Sequence, residues 1–238
     1  AKFFNYSSHA ETYSQLGIEK TYLLAFKRIQ EIISQRVRGT LALDYGCGTG
    51  RSTRFLQNLG FATIGVDNRR AMIEQAKKQD PDGDYQHIRT GCMPRVELKT
   101  QDLVLNAFVF DSVSTKQAMV KICESLRTKL NQNGVIIVVT STPELYTRNW
   151  ASFECNFPEN QKKRSGEKVR CTVRGKKKIT VWDYYWKRQD YEKIFKDAGL
   201  NIVEASEPIV EKSDTSCEWL SETEVAPWLV YALQKKST

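Results

Sequence analysis

Apolar positions along this chain recur first at a helical period and then in short runs. From residue 11 to 38, Leu16, Tyr22-Leu23-Leu24, Phe26, Ile29 and Ile32-Ile33 repeat at three- and four-residue steps, which predicts a helix. Gly39, just after Arg36 and Arg38, reads as its stop. Apolar runs follow at 40–45, 62–66, 85–88, 102–108 and 135–140. Amphipathic stretches at 50–59 and 69–79, and one from the fourth run to about Leu130, separate them. Asp80-Pro-Asp-Gly83 and Asn131-Gln-Asn-Gly134 are turn signals. Strands alternating with helices predict a parallel sheet covered on both faces, joined by right-handed crossovers.

The pattern changes after Pro143. Residues 144–182 are aromatic and basic, with turns at Ser165-Gly-Glu and Arg174-Gly-Lys. Val169–Val173 and Ile179–Trp182 alternate as two short antiparallel strands would. A helix from about Arg188 to Ala198 ends at Gly199, and Leu200–Val203 and Trp228–Leu233 read as the last two strands.

Composition narrows the class. The chain has 238 residues, 40% hydrophobic and 27% charged, which fits one globular domain. No apolar run reaches the roughly 20 residues of a membrane helix, and the first residues lack the pattern of a signal peptide. The six cysteines are scattered without a Cys-x-x-Cys pair, and there are two histidines. That argues against a metal site and against a disulfide framework, and for free thiols in the cytoplasm. The net charge of +8 is local: residues 162–178 carry nine Lys or Arg, Lys176 and Lys177 among them, against Glu167 alone. The rest of the chain is close to neutral, so this is one basic hairpin and not a general basic surface.

The chemistry concentrates at Leu41-Ala-Leu-Asp-Tyr-Gly-Cys-Gly-Thr-Gly50. An apolar run ends in Asp44 and breaks into three glycines at alternate positions. A helical stretch, a second apolar run and Asp67 follow. Such a unit binds a nucleoside: glycines let backbone approach the ligand, and the second-strand acid suits ribose hydroxyls. A dinucleotide fingerprint would place its third glycine at position 51, which is Arg. Asp44 just ahead of the turn would repel a pyrophosphate but suits an ammonium or sulfonium. The segment resembles the first motif of the class I S-adenosylmethionine-dependent methyltransferases, apolar-apolar-Asp-x-Gly-x-Gly-x-Gly, at every defined position. The resemblance covers 40–142 well and 187–235 moderately.

That resemblance implies a Rossmann-like α/β fold: a seven-stranded, mostly parallel sheet of order 3-2-1-4-5-7-6, last strand antiparallel, with helices on both faces. It implies one methyltransferase domain over 1–238, with an N-terminal helical lid (1–38), a cofactor-binding half (39–142), a β-hairpin-like substrate-cover insert (143–186) and the rest of the core (187–238). It implies S-adenosyl-L-methionine as cofactor. Gly46, Cys47, Gly48 and Gly50 would lie beside its methionine part, Asp44 would accept hydrogen bonds there, and Asp67 would take the ribose hydroxyls. Asn68 and Met72 would border the adenine. Asp67-Asn68 also reads as a helix cap and Met72 as core. No acid follows the third strand, where the family commonly has one, so Gly91 and Cys92 backbone or the Thr90 hydroxyl would serve the adenine. Asn106 and Phe108 end the fourth strand, near the expected methyl position; Phe108 and Phe110 fit either a pocket wall or the core.

The reaction needs orientation of an acceptor and exclusion of water more than it needs protein chemistry. Candidate bases are His9, Asp111, Tyr184 and Tyr185, none marked by spacing, while His87 reads as structural. Tyr6, His9 and Tyr13 precede the lid helix as polar-tipped groups. Tyr13, Trp150, Trp182 and Tyr185 are the substrate-wall candidates, since aromatic walls suit an aromatic or apolar acceptor. The expected reaction is methyl transfer to an O or N atom of a small molecule, aromatic or acidic. The other reading is an RNA- or protein-directed methyltransferase, or a methyltransferase-like binding domain, that uses the basic 162–178 hairpin. A solvated face is the plainest account of such a charge run.

Overall fold

The computed structural model describes residues 9–175 and 178–236. Tyr6 of the expected lid, and Lys176 and Lys177 of the basic hairpin, lie outside the described residues.

The five expected core strands form as β1 (Leu41–Tyr45), β2 (Ala62–Asp67), β3 (Asp84–His87), β4 (Gln101–Ala107) and β5 (Leu130–Ser141). The insert adds β6 (Phe153–Glu154), β7 (Lys168–Val173) and β8 (Ile179–Tyr184), and the core closes with β9 (Leu200–Ser206) and β10 (Trp228–Lys235). The main sheet runs β3-β2-β1-β4-β5-β10-β9. With the insert strands set aside, this is the expected order 3-2-1-4-5-7-6. β10 is antiparallel to both of its neighbours.

Helices cover both faces. On one, α2 (Thr21–Arg36) and α3 (Arg51–Asn58) bury Phe26, Ile29, Ile32 and Leu56 against Ala42, Leu103, Leu105 and Ile137. On the other, α5 (Lys116–Lys129) and α6 (Arg188–Asp197) bury Ile122, Leu126, Ile194 and Phe195 against Leu43, Val104, Ile136 and Val138. α4 (Arg70–Gln79) packs Ile73 and Ala76 on Tyr85 near the β3 edge. Alternation along each strand sends successive residues to opposite layers, and this parity decides below which side chains reach the site. Among the described residues, no helix is long and apolar enough to cross a membrane.

Three local readings are corrected. The helix expected over 11–38 is two pieces, α1 (Ala10–Tyr13) and α2, because the chain turns at Gly17 and Lys20 takes φ +55°. The turn is held from outside: the Arg51 guanidinium donates to the Gly17 carbonyl at 2.8 Å and the Gln79 amide to the Ser14 carbonyl at 2.8 Å. The Asn131–Gly134 turn does not precede β5 but loops out of its register, since Gln101 pairs with Leu130 and Leu103 already pairs with Val135. The insert is a three-stranded sheet, β6-β7-β8, because Phe153–Glu154 pairs with Thr172–Val173 and widens the expected hairpin. Its inner residues Val169, Cys171, Val173, Ile179 and Val181 join the α2-side core.

Candidate active site

The three glycines of the turn after β1 do different work. Gly46, Gly48 and Gly50 all have positive φ, at +74°, +55° and +85°, a region that costs other residues their Cβ contacts. The Gly46 and Cys47 amides both donate to the Val66 carbonyl, at 2.8 and 3.0 Å, which pins the turn to the end of β2. A Cβ on Gly48 would meet nothing within 4 Å, because this residue faces a cavity. A Cβ on Gly50 would lie 2.7 Å from the Tyr85 hydroxyl, so Gly50 lets α3 start close to β3 and does not line the cavity.

That cavity, of about 360 Å³, lies at the carboxyl ends of β1, β2 and β4, where ligands gather in open α/β sheets. One end is walled by Asp67, Asn68, Met72, Ile88 and Thr90. The Asp67 carboxylate sits between two backbone donors: the Gly48 amide at 3.0 Å and the Arg69 amide at 2.8 Å. Each oxygen still has a lone pair for a ligand. The Asn68 side-chain amide donates to the Thr90 hydroxyl at 2.9 Å, tying the start of α4 to the loop after β3. The other end is walled by Tyr13, Leu16, Phe26 and Phe108. Phe108 has φ +61°, a strained setting for an aromatic residue that turns its ring into the wall.

Burial sets the electrostatics. Desolvation pushes the Asp44 carboxyl up to about 6, partly opposed by hydrogen bonds from Thr53 and Ser52. Those hydroxyls reach one oxygen, Oδ2, at 2.6 and 2.7 Å. Oδ1 is buried and has no partner. Desolvation raises Asp67 as well, against the donors at Arg69 and Gly48. Burial lifts the phenols of Tyr13, and of Tyr22 behind it (to about 12), so both stay neutral near pH 7.

Most of the cofactor candidates converge here: Gly46, Cys47, Gly48, Asp67, Asn68, Met72 and Phe108 all line the cavity. Asp44 lies beneath its floor, behind Ser52. Others do not converge. Gly91 and Cys92 are off the lining; the Gly91 amide is occupied by the Tyr45 hydroxyl at 3.0 Å and Cys92 is exposed, whereas Thr90 does line it. Asn106 is fully buried and pairs with Val138 on the α5 side of β4, so parity turns it from the cavity and gives the place to Ala107 and Phe108.

The base and substrate candidates mostly lie elsewhere. Asp111 is a buried acceptor for Thr140 Oγ1 at 2.9 Å and the Ser141 amide at 3.2 Å. His9 starts α1 outside the lining, and Phe110 is core. Trp150 is fully buried with its indole N–H on the Leu145 carbonyl at 2.8 Å. Trp182 is 39% exposed on the outer face of β8, and Tyr185 packs on Tyr146 away from the cavity. Of the four substrate candidates, Tyr13 alone reaches the wall. Sequence reasoning missed Leu16, Phe26, Arg51, Ser52 and Ser112. Only Arg51 and Ser52 had a signal, their place in the first turn after the glycines.

Residues 19–205 match the methyltransferase-domain family. The chain belongs to that family. N-demethylindolmycin N-methyltransferase of Streptomyces griseus is 25% identical over 164 residues, covering 68% of this chain and 69% of that protein. Ubiquinone biosynthesis O-methyltransferase of Bradyrhizobium diazoefficiens is 32% identical over 118 residues, 48% of this chain and 43% of that one. This methyltransferase also shares its fold with a solved S-adenosylmethionine-dependent methyltransferase from Clostridium acetobutylicum. The TM-score is 0.65 at 16% identity, over 98% of this chain and 99% of that one.

Proposed function

We propose that the protein transfers the methyl group of S-adenosyl-L-methionine to an O or N atom of a small-molecule acceptor. The observation that carries the cofactor is Asp67, a carboxylate held on two backbone donors at the wall of a cavity into which Gly48 opens. The Asp44 carboxylate, buried beneath the cavity floor, favours a cationic ligand through its charge and not by contact. Gly48 leaves room for the chain that carries the ammonium, and Asp67, on its two backbone donors, suits a ribose diol. Asn68, Met72 and Ile88 would flank the adenine. When bound, the cofactor supplies an electrophilic methyl on a sulfonium.

The acceptor end is walled by Tyr13, Leu16, Phe26 and Phe108 with the Arg51 guanidinium among them, and such a walled end favours a compact acceptor over a polymer. The relatives of this chain include an N-methyltransferase and an O-methyltransferase, which favours N or O as the methylated atom. The walls hold the acceptor and exclude water; Tyr13, as a neutral phenol, donates a hydrogen bond and is no base near pH 7. An amine brings its own lone pair, and a hydroxyl acceptor would lose its proton to water at the mouth. The one-domain division into lid, cofactor half, insert and core remains our reading, as does a reducing compartment for its free thiols. Incubation with methyl-labelled cofactor and a metabolite extract, followed by mass spectrometry, is expected to label a small molecule at O or N. Label confined to RNA or protein would contradict it.

The second reading has one observation in its favour: the outer face of the insert sheet presents Trp182 opposite Arg170, whose guanidinium stacks on Phe157 at 3.8 Å. Glu159 pairs with Arg170 and Glu154 with Lys178, which fits a solvated face. Trp182→Ala is therefore expected to change stability by less than about 0.5 kcal/mol, as surface changes do, and to leave turnover unchanged. Loss of turnover in a Trp182→Ala enzyme of normal stability would restore Trp182 to the substrate path.

Asp44 makes a pH prediction. Its folded value of about 6 lies above the ordinary 3.8. The folded state therefore holds a proton that the unfolded chain has released, so this group's contribution to stability falls as pH rises from about 4 to about 6 and is then level. An ammonium ligand favours the ionised form, so S-adenosylhomocysteine affinity should rise over about pH 5–7. Asp44→Asn should flatten that rise. A rise of equal size in Asp44→Asn would assign it to another group.

A further inference from the structure

A second cavity, of about 300 Å³, lies between the turn that precedes α2 and the end of the insert hairpin. Thr12, Gln15 and Leu16 line it on one side, and Val173, Arg174 and Ile179 on the other. Leu16 also lines the first cavity, at its acceptor end. One side chain is therefore common to both. The first cavity, of about 360 Å³, is of a size that a single drug-sized ligand fills. A cofactor seated there leaves the reacting atom of an acceptor near Leu16 and sends the rest of that acceptor beyond it.

The second cavity is charged where the acceptor wall of the first is mainly aromatic. Among the described residues its charged lining groups are Arg174, Lys20 and Glu19. Arg174 follows β7, and its backbone amide donates to the Ser152 carbonyl at 2.8 Å, which fixes the hairpin end. Its Nε is buried without a partner, a cost that lasts until an acceptor atom answers it. Its Nη2 reaches the Glu154 carboxylate only at 3.9 Å, and Glu154 is held below the ordinary carboxyl range chiefly by Lys178, at 3.0 Å. Lys20 is exposed beside the start of α2, with φ +55°, and forms no ion pair among the described residues. Glu19 turns its carboxylate back over Gly17, where an added Cβ would strike it. Two cations against one acid suit a ligand with a single negative charge, and the guanidinium edge that includes Nε suits the two oxygens of a carboxylate.

We propose, on the small-molecule reading above, that the second cavity holds the tail of the methyl acceptor and that Arg174, with Lys20 at the rim, binds a carboxylate on that tail. The acceptor straddles Leu16. Its nucleophilic O or N lies in the first cavity and its acid in the second, out of the methyl group's reach, so the acid survives the reaction. A neutral analogue of the same skeleton leaves the Arg174 Nε unanswered and is rejected for that reason.

The test uses the full chain, methyl-labelled S-adenosylmethionine and a metabolite extract split on an anion exchanger at pH 7. Label is expected from the acidic fraction, in a product whose mass spectrum still shows a free carboxylate. With that acceptor purified, Arg174→Gln is expected to raise KM by about 10- to 100-fold, the range for losing a charge-assisted bond, with kcat nearly unchanged. Its affinity for S-adenosylhomocysteine by calorimetry should match the natural protein, because Arg174 lies outside the first cavity. Lys20→Gln should raise KM by a smaller factor that shrinks with added salt, and it carries the comparison if Arg174→Gln folds poorly. Label from the neutral fraction alone, a methyl ester in place of the free acid, or an unchanged KM in both variants overturns the assignment. Label from neither fraction would instead sink small-molecule methyl transfer itself.

Discussion

Asp67→Ala is expected to weaken S-adenosylhomocysteine by about 3 kcal/mol, more than 100-fold, because charge-assisted bonds to a diol are lost together with their geometry. The carboxylate does two jobs. It faces the cavity, and it accepts from the Gly48 amide at 3.0 Å and the Arg69 amide at 2.8 Å. Removing it leaves both amides without their partner and loosens the glycine turn against the start of α4. Asp67→Asn keeps one acceptor for Gly48 but presents an amide N–H to the other contact, so it should recover only part of the loss. Calorimetry on the three proteins measures this. Affinity within threefold of the natural chain for Asp67→Ala would remove Asp67 from the site and leave it as a cap.

A chain that begins at Leu16 is expected to lose methyl transfer by roughly 100-fold or more, the scale on which misplaced reactants cost rate, while its sheet stays folded. Tyr13 is the part of the acceptor wall that such a chain lacks, and Ala10 is the buried foot of α1. Among the described residues the ten strands start at Leu41 or later, and the α2 contacts with the core are retained. Turnover is followed by release of S-adenosylhomocysteine with any acceptor that serves the full chain. Circular dichroism reports the sheet. Unchanged turnover in the shortened chain would make α1 a packing element. Loss of the sheet signal would show that it belongs to the core.

How much of this was legible follows from what each signal encodes. The alternation of apolar runs with amphipathic stretches located every strand of the main sheet, because burial on two faces leaves near-continuous apolar runs. The glycine spacing and Asp67 located the cavity, because those residues are constrained by backbone approach and by charge. Asn106 was misplaced for a reason of parity: neighbouring residues on a strand face opposite layers, and the run Leu105-Asn-Ala-Phe108 does not reveal which layer holds the ligand. Trp150 and Trp182 were drawn to the substrate by residue type alone. One fills the core and the other faces solvent, since an aromatic ring serves either place equally well. Arg51 was read only as the residue that spoils a dinucleotide fingerprint. Its stacking on Tyr22, Phe26 and Phe108 joins α2, α3 and the end of β4, contacts that no local pattern contains. The break at Gly17 escaped notice because its cause, the bond from Arg51, comes from 34 residues along the chain.

The most direct test of the central claim is a pair of calorimetric titrations of the full chain, one with S-adenosylhomocysteine and one with NAD. The geometry predicts one S-adenosylhomocysteine per chain, bound more tightly as pH rises through about 6, and no comparable heat from NAD, whose pyrophosphate is disfavoured by the Asp44 charge beneath the cavity floor. Tight binding of NAD with none of S-adenosylhomocysteine would contradict it.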